Sequence, residues 1–133
     1  MTNGTHIFPY IQFGNYHRPI IPLFLRVREI TVEYHVLVDS GADFNLFHTD
    51  IAEIFGIDLE HADTERISGI GGEVTAYPFL FEMSLDQHTF SRAPALLSSD
   101  LPMSYGIVGQ VGFFDKFSVE FTYETKNIAL TVL

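Results

Sequence analysis

The stretch 36-VLVDSGADFNLF-47 decides how this chain is interpreted, because three apolar residues lead directly into an aspartate and a Ser-Gly-Ala sequence. An apolar strand ending at Asp39 would hold its carboxylate in a rigid position. Gly41 permits a sharp turn and a close approach of neighbouring backbone. Asp-Ser-Gly is also common in ordinary turns. These three residues alone therefore leave open whether Asp39 is a turn residue or a reactive group.

The composition predicts one soluble globular domain. The chain has 133 residues, 47% of them hydrophobic, which is enough for a sizeable core. It has no Cys, which excludes disulfides and thiolate metal sites. Its first residues lack the basic start and apolar run of a signal peptide, and no segment approaches the roughly 20 apolar residues of a membrane helix. We therefore expect a cytoplasmic protein without a membrane partner.

Charge and histidine spacing exclude two further classes of function. The formal net charge is −10, from 17 acidic residues against 7 Lys and Arg. Nucleic-acid-binding proteins normally carry a basic surface, so we expect no nucleic-acid partner. The histidines are scattered without the short spacing of metal ligands, so we expect no metal site and no cofactor. They are His6, His17, His35, His48, His61 and His88.

Most of the chain has the residue pattern of β-strands. The segments 20–27 and 30–38 are rich in β-branched and aromatic residues and are separated by two polar residues, which predicts a hairpin. Residues 66–85 predict two strands around a glycine-rich tip. Before them, residues 1–17 form an aromatic-rich N-terminal arm that we expect to pack on the domain at 18–133. Further expected elements are a strand at 88–97, a short strand and helical turn at 106–117, and a hairpin at 117–133 turning at 124–127.

One helix is predicted at 49-TDIAEIFGI-57. Thr49 is a suitable N-cap, and Gly56 can close the helix in a left-handed conformation. Ile51, Ile54 and Phe55 fall at helical spacing and predict one buried face. A single helix among seven or eight strands predicts an all-β protein, a small barrel or folded sheet.

Three motifs in a fixed order give this pattern a more specific meaning. VLVDSGAD at 36–43 is followed by ISGIGGEV at 67–74 and by GIVGQ at 106–110. Together they resemble the retropepsin-like aspartic proteases, the single-lobed relatives of pepsin, over roughly residues 18–123. The resemblance implies a closed or folded β-barrel of the pepsin-like acid protease fold, one lobe with one or two short helices.

The resemblance also implies an aspartic endopeptidase in which Asp39, Ser40 and Gly41 form the catalytic loop. Such enzymes activate water with two neighbouring carboxylates that share one proton. The chain has only one Asp-Ser-Gly sequence. The second carboxylate would therefore come from an identical chain, which implies a homodimer related by two-fold symmetry.

A polypeptide substrate would bind in extended form as an added strand. The family motifs place the substrate-binding role on Ala42, Asp43, Ser68, Gly69, Ile70, Gly71 and Ile107. In retroviral members an Arg-Pro near the N-terminus reaches Asp of Gly-Ala-Asp in the other chain, so Arg18 is expected at the dimer interface, facing Asp43. Simpler interpretations stay open: a plain hairpin tip for Ile70, core packing for Ile107 and a solvated surface side chain for Arg18.

Two departures from the family pattern bear on activity. Gln110 stands where retroviral enzymes carry an Arg, and Ser40 replaces the commoner Thr. The alternative to an active enzyme is a non-catalytic peptide-binding or dimerisation module that keeps the aspartic protease fold.

Overall fold

The computed structural model describes residues 4–69 and 72–133, in which twelve strands accompany one short helix. The strands are β1 Thr5–Pro9, β2 Ile11–Phe13, β3 Tyr16–Arg18, β4 Ile20–Val27, β5 Ile30–Val38, β6 Leu46–His48, β7 Glu65–Gly69, β8 Gly72–Leu85, β9 His88–Ser98, β10 Gly106–Val108, β11 Phe117–Thr122 and β12 Asn127–Val132; the helix is α1 Asp50–Phe55. The described part of the chain holds no helix of the length and apolarity that crossing a membrane requires.

Six strands form a closed ring. Their order is β4-β5-β10-β6-β9-β8, and β8 returns to β4 through pairs such as Phe24 with Ser84. The strand β7 lies outside this ring and pairs with β8. The closed β-barrel expected from the sequence is therefore confirmed, as is the β4–β5 hairpin.

The barrel closes around side chains that alternate along its strands. On β4 every second residue from Ile21 to Leu25 is fully buried, while Phe24 is partly exposed, as strand geometry requires when one face is packed. Large aromatic side chains fill the centre. Burying each such side chain contributes about 1.5–3 kcal/mol to the free energy of folding. The large aromatic side chains with less than 2% exposure are Phe47, Phe81, Phe113 and Phe117.

The helix α1 departs from its prediction in two respects. Gly56 closes it with φ +70°, as expected. The Thr49 side chain, however, makes no capping hydrogen bond, because Thr49 itself has helical backbone angles. Ile54 is 53% exposed, whereas Ile51, Ala52 and Phe55 form the buried face. The expectation that Ile54 is buried was wrong, because the packed face is centred on Ile51 and Phe55, one turn apart.

A second sheet joins the two ends of the chain. The strand β12 lies between β1 and β11, so the N-terminal residues 5–9 pair with the C-terminal strand. The segment before Pro19 also contains the small β2–β3 hairpin. The last hairpin turns at 123–126, one residue earlier than expected, and residues 112–116 form hydrogen-bonded turns after β10.

Candidate active site

Asp39 directly follows β5, at the end of the barrel strand that the sequence predicted. Its backbone N–H donates to the carbonyl oxygen of Val108 at 3.0 Å, which continues the parallel β5–β10 pairing. Its carboxylate Oδ1 accepts the N–H of Gly41 at 2.9 Å. Its carbonyl oxygen accepts the N–H of Ala42 at 3.1 Å. These bonds fix the half-buried carboxylate to its own turn.

The segment after β10 supports this loop through backbone hydrogen bonds. The N–H of Gln110 donates to the carbonyl of Ala42 at 2.8 Å, and that of Val111 to the carbonyl of Asp43 at 2.9 Å. Gly109 is necessary for this approach, because a Cβ there would lie 2.5 Å from the Ala42 oxygen. The GIVGQ segment therefore packs directly against the Asp39 loop.

Two polar side chains that the resemblance did not identify also hold the loop. Asn45 is fully buried; its Oδ1 accepts the N–H of Gly109 at 2.9 Å and its Nδ2 donates to Pro94 O at 3.0 Å. Gln110 Nε2 donates to the carbonyl of Ser40 at 2.6 Å. Gln110 thus braces the loop through its side-chain amide. The sequence feature that could have identified Asn45 is its position as a polar residue inside the apolar run FNLF.

A cleft of about 270 Å³ lies beside the loop. Its lining combines Gly41, Ala42 and Asp43 with Ile107 of β10 and Ile67 of β7. The structure therefore brings together four of the residues expected to serve catalysis or substrate binding. It adds Ile67, which lies in the glycine-rich hairpin but was not among the expected site residues.

The hairpin predicted around the glycine-rich tip is formed by β7 and β8. Its backbone pairs include Ile67 with Val74, Ser68 with Glu73 and Gly69 with Gly72. Ser68 and Gly69 therefore lie in the last paired rungs before the tip. Ile70 and Gly71, which were expected at the tip, lie outside the described residues.

Arg18 makes its contacts within the chain. Its Nη1 donates to the Tyr105 hydroxyl at 2.6 Å, and its guanidinium lies 5.8 Å from the Phe13 ring centroid and 6.0 Å from that of Tyr16. Half-burial beside aromatic rings is a favourable position for a guanidinium. The pairing of Arg18 with Asp43 of a second chain stays a prediction.

The pKa is shifted for Tyr34 on β5 and for Asp58 after α1. Burial raises the pKa of Tyr34, whose hydroxyl accepts the His48 N–H at 3.2 Å. The side-chain hydrogen bond from His61 lowers the pKa of Asp58. Asp58, His61 and Glu60 place ligand atoms within 4.8 Å of one another. All three are exposed and none lines the cleft, so they form an ordinary ionic surface cluster apart from the candidate site.

Solved structures share this fold. A retropepsin-like aspartic protease from Rickettsia conorii superposes with a TM-score of 0.71 at 17% sequence identity, covering 96% of this chain and 98% of that one. The EIAV protease complexed with the inhibitor HBY-793 gives 0.53 at 17% identity, covering 74% and 88%. No curated protein matches the chain.

The family assignment comes from the sequence itself. The family described as "Aspartyl protease" matches residues 25–111, well over half of the chain. The matched range contains the Asp39 loop, the β7–β8 hairpin and β10, and each of these three elements supplies residues that line the cleft. The chain therefore belongs to the aspartyl protease family and has its single-lobed, retropepsin-like fold.

Proposed function

We propose that the protein is an aspartic endopeptidase that is active as a homodimer, with Asp39 of each chain forming one catalytic pair. The observation that carries the proposal is the position of Asp39. Its carboxylate is held by the Gly41 N–H at the end of a barrel strand, beside a cleft lined by the same loop. Because the carboxylate is held rigidly and is half-buried, it can keep the position that a catalytic group needs relative to the reacting atoms.

The chemistry needs two carboxylates that share one proton. The unprotonated carboxylate takes a proton from water as the water oxygen attacks the peptide carbonyl, and the protonated one gives its proton to the carbonyl oxygen. When the tetrahedral intermediate collapses, the C–N bond breaks and the leaving amine takes a proton from the first carboxyl. One hydroxyl of the intermediate gives its proton to the second carboxylate, so that the pair again shares one proton. The pair titrates as a unit, so neither chain has a fixed role.

A second chain is required because each chain carries a single Asp-Ser-Gly sequence. Two-fold symmetry would bring the same loop of both chains together. Ser40 is exposed next to Asp39, so its hydroxyl is available to bond the opposing loop. On the same proposal Arg18 faces Asp43 of the partner subunit. Its Nη1 is bonded to Tyr105, so its other guanidinium N–H groups would donate to that carboxylate.

The substrate would be a polypeptide in extended form. The strand β7 is the edge of its sheet, and an edge strand can pair with an added peptide strand. In this arrangement Ser68, Gly69, Ile70 and Gly71 cover the peptide, while Gly41, Ala42 and Asp43 offer backbone groups from below. Ile107 and Ile67 then form apolar walls on the cleft.

Substitution of Asp39 by Asn tests the proposal. Asn cannot share a proton, so we expect kcat/KM on a mixed peptide library to fall by at least about a hundredfold. The unfolding midpoint should stay close to that of the wild type, because the amide oxygen can still accept the Gly41 N–H.

Asp63→Asn is the matched control, since Asp63 is exposed, lies outside the Asp39 loop and does not line the cleft. It should cleave like the wild type. Equal turnover by wild type and Asp39→Asn would overturn the proposal. Peptide binding by the wild type without any cleavage would instead support the non-catalytic peptide-binding module.

A further inference from the structure

Gln110 makes two hydrogen bonds to the Asp39 loop, one from its backbone and one from its side chain. Its N–H donates to the carbonyl of Ala42 at 2.8 Å, and its side-chain Nε2 donates to the carbonyl of Ser40 at 2.6 Å. These two carbonyls lie on either side of Gly41 in the chain. A single residue therefore holds both ends of the turn that contains Gly41.

The backbone of Gln110 is itself fixed. Its carbonyl accepts the N–H of Asp115 at 3.2 Å. The N–H of the next residue, Val111, donates to the carbonyl of Asp43 at 2.9 Å. Because the backbone is bonded on both sides, the side chain of Gln110 reaches Ser40 from a defined position.

The bond to Ser40 acts on the Asp39 carboxylate through one peptide group. The carbonyl of Ser40 and the N–H of Gly41 belong to the same planar peptide unit. The side chain of Gln110 binds the oxygen of this unit, and the N–H of the unit donates to Asp39 Oδ1 at 2.9 Å. Hydrogen bonds in such a chain polarise and strengthen one another. The Gln110 amide is therefore only two hydrogen bonds away from the carboxylate.

The orientation of this peptide unit decides where the carboxylate lies. An added Cβ at Gly41 would lie 3.3 Å from Asp39 Oδ1, so the carboxylate packs directly against the residue that binds it. A rotation of the Ser40–Gly41 peptide would turn its N–H away from Oδ1. Ser40 and Gly41 are both exposed, so water would replace a missing Gln110 amide. Water would satisfy the carbonyl at little cost in stability, but it would not fix the orientation of the peptide.

We propose that Gln110 is a positioning residue for the reaction, and that its side-chain amide holds the Ser40–Gly41 peptide in the orientation that places the Asp39 carboxylate. The inference rests on the proposed endopeptidase function. In the two-fold dimer each chain supplies its own Gln110, so both carboxylates of the pair are held in the same way.

Gln110→Met tests this role, because it removes the donor and keeps the length of the side chain. On a library peptide that the full-length wild type cleaves, we expect kcat to fall about tenfold, since a small misplacement of a catalytic group is costly. KM should change by less than about twofold, and the urea unfolding midpoint should stay close to that of the wild type. Gln87→Met is the matched control, because Gln87 is an exposed amide in the turn between β8 and β9. It should leave kcat and KM unchanged.

Two further substitutions separate hydrogen bonding from packing. Gln110→Arg keeps a donor, so its kcat should exceed that of Gln110→Met and approach that of the wild type. Gln110→Glu has no side-chain donor at neutral pH, so its kcat should be no higher than that of Gln110→Met.

Acid pH should restore the Gln110→Glu variant in part. Below about pH 4.3, the usual pKa of a glutamate, the carboxyl carries an O–H that can donate to Ser40. The ratio of its kcat to that of Gln110→Met should therefore rise as the pH falls. The charged groups on the segments bonded to residue 110 are the same in both variants, so their own titration cancels in this ratio; they are Asp39, Asp43, Asp115 and Lys116.

NMR of the Gly41 amide proton gives a second measurement that needs no substrate. In isotope-labelled Gln110→Met this proton should move upfield relative to the wild type, because the peptide oxygen loses its donor and the bond from Gly41 to Asp39 weakens. In Gln110→Arg it should return toward its wild-type position, and in Gln87→Met it should not move.

The outcomes separate the two proposals. If the wild type cleaves no peptide, the endopeptidase function fails and the role of Gln110 in catalysis fails with it. If the wild type is active but Gln110→Met keeps its kcat, or the Gly41 amide proton does not move, only the role of Gln110 fails. A loss of activity that appears mainly as a higher KM, or that Gln110→Arg does not reduce, would assign Gln110 to peptide binding or to packing and would also overturn the positioning role.

Discussion

Asn45 is a buried side chain that supports the segments around the Asp39 loop. It is fully buried and connects Gly109 of the supporting segment with Pro94 of β9. Replacing it with Ala would leave a buried N–H and a carbonyl without partners. Each such loss costs about 1–3 kcal/mol. We therefore expect Asn45→Ala to lower the free energy of unfolding by about 2–4 kcal/mol.

Urea unfolding followed by tyrosine fluorescence measures this change. Gln87→Ala is the control, because Gln87 is an exposed amide in the turn between β8 and β9, and its removal should change stability by less than about 0.5 kcal/mol. Similar small changes in both variants would show that the Asn45 bonds do not stabilise the fold.

The residues of the site differ in how far the sequence alone could identify them. Asp39 and Gly41 were predictable, because the hydrogen bond between them joins residues two positions apart. The partners of Asn45 lie 49 and 64 positions away, that of Gln110 lies 70 away and that of Arg18 lies 87 away. No local pattern encodes such pairings, so these supporting bonds required the folded chain.

At the level of elements, β1 acts as a partner for the C-terminal strand. It pairs with β12 over five residues, and His6 contacts Asp86 of the β8–β9 turn at 2.6 Å. Phe8 packs against the core, whereas Ile7 on the opposite face of the strand is 65% exposed. The N-terminal strand therefore covers apolar surface that β12 would otherwise expose.

This asymmetry provides a test within one strand. Phe8→Ala should lower the free energy of unfolding by about 2 kcal/mol, because Phe8 is only partly buried and a fully buried Phe costs about 3–5 kcal/mol. Ile7→Ala should change it by less than about 0.5 kcal/mol. Denaturant titration of both variants compares them directly, and equal losses would mean that β1 does not pack on the core.

The helix shows why an element can be predicted better than its orientation. Its position and its Gly56 ending were confirmed, since both depend on nearby residues. The exposure of Ile54 was not predictable, because Ile51, Ile54 and Phe55 all fit helical spacing. Which of them is buried depends on Phe81, which lies next to Phe55 with ring centroids 5.8 Å apart.

For the whole molecule, closure of the barrel is the feature that makes a single lobe rigid enough to hold the cleft. The strand order places β10 between β5 and β6, and the β4–β8 pairing closes the ring. Hairpins such as β4–β5 follow from adjacent segments. The parallel insertion of β10 joins residues about seventy positions apart. That pairing was not predicted from the sequence.

The dimer proposal makes a quantitative prediction for mixed assemblies. If each site needs Asp39 from both chains, a heterodimer of wild type and Asp39→Asn is inactive. At constant total chain concentration, an equal mixture that has exchanged subunits should keep about a quarter of the wild-type activity, because activity follows the square of the wild-type fraction. Initial rates over a series of mixing ratios measure the curve.

Mixing with Asp63→Asn, which leaves every pair competent, should leave the rate unchanged. A straight line that falls to about half at equal mixing would mean that each chain acts alone, and the dimeric mechanism would then be wrong.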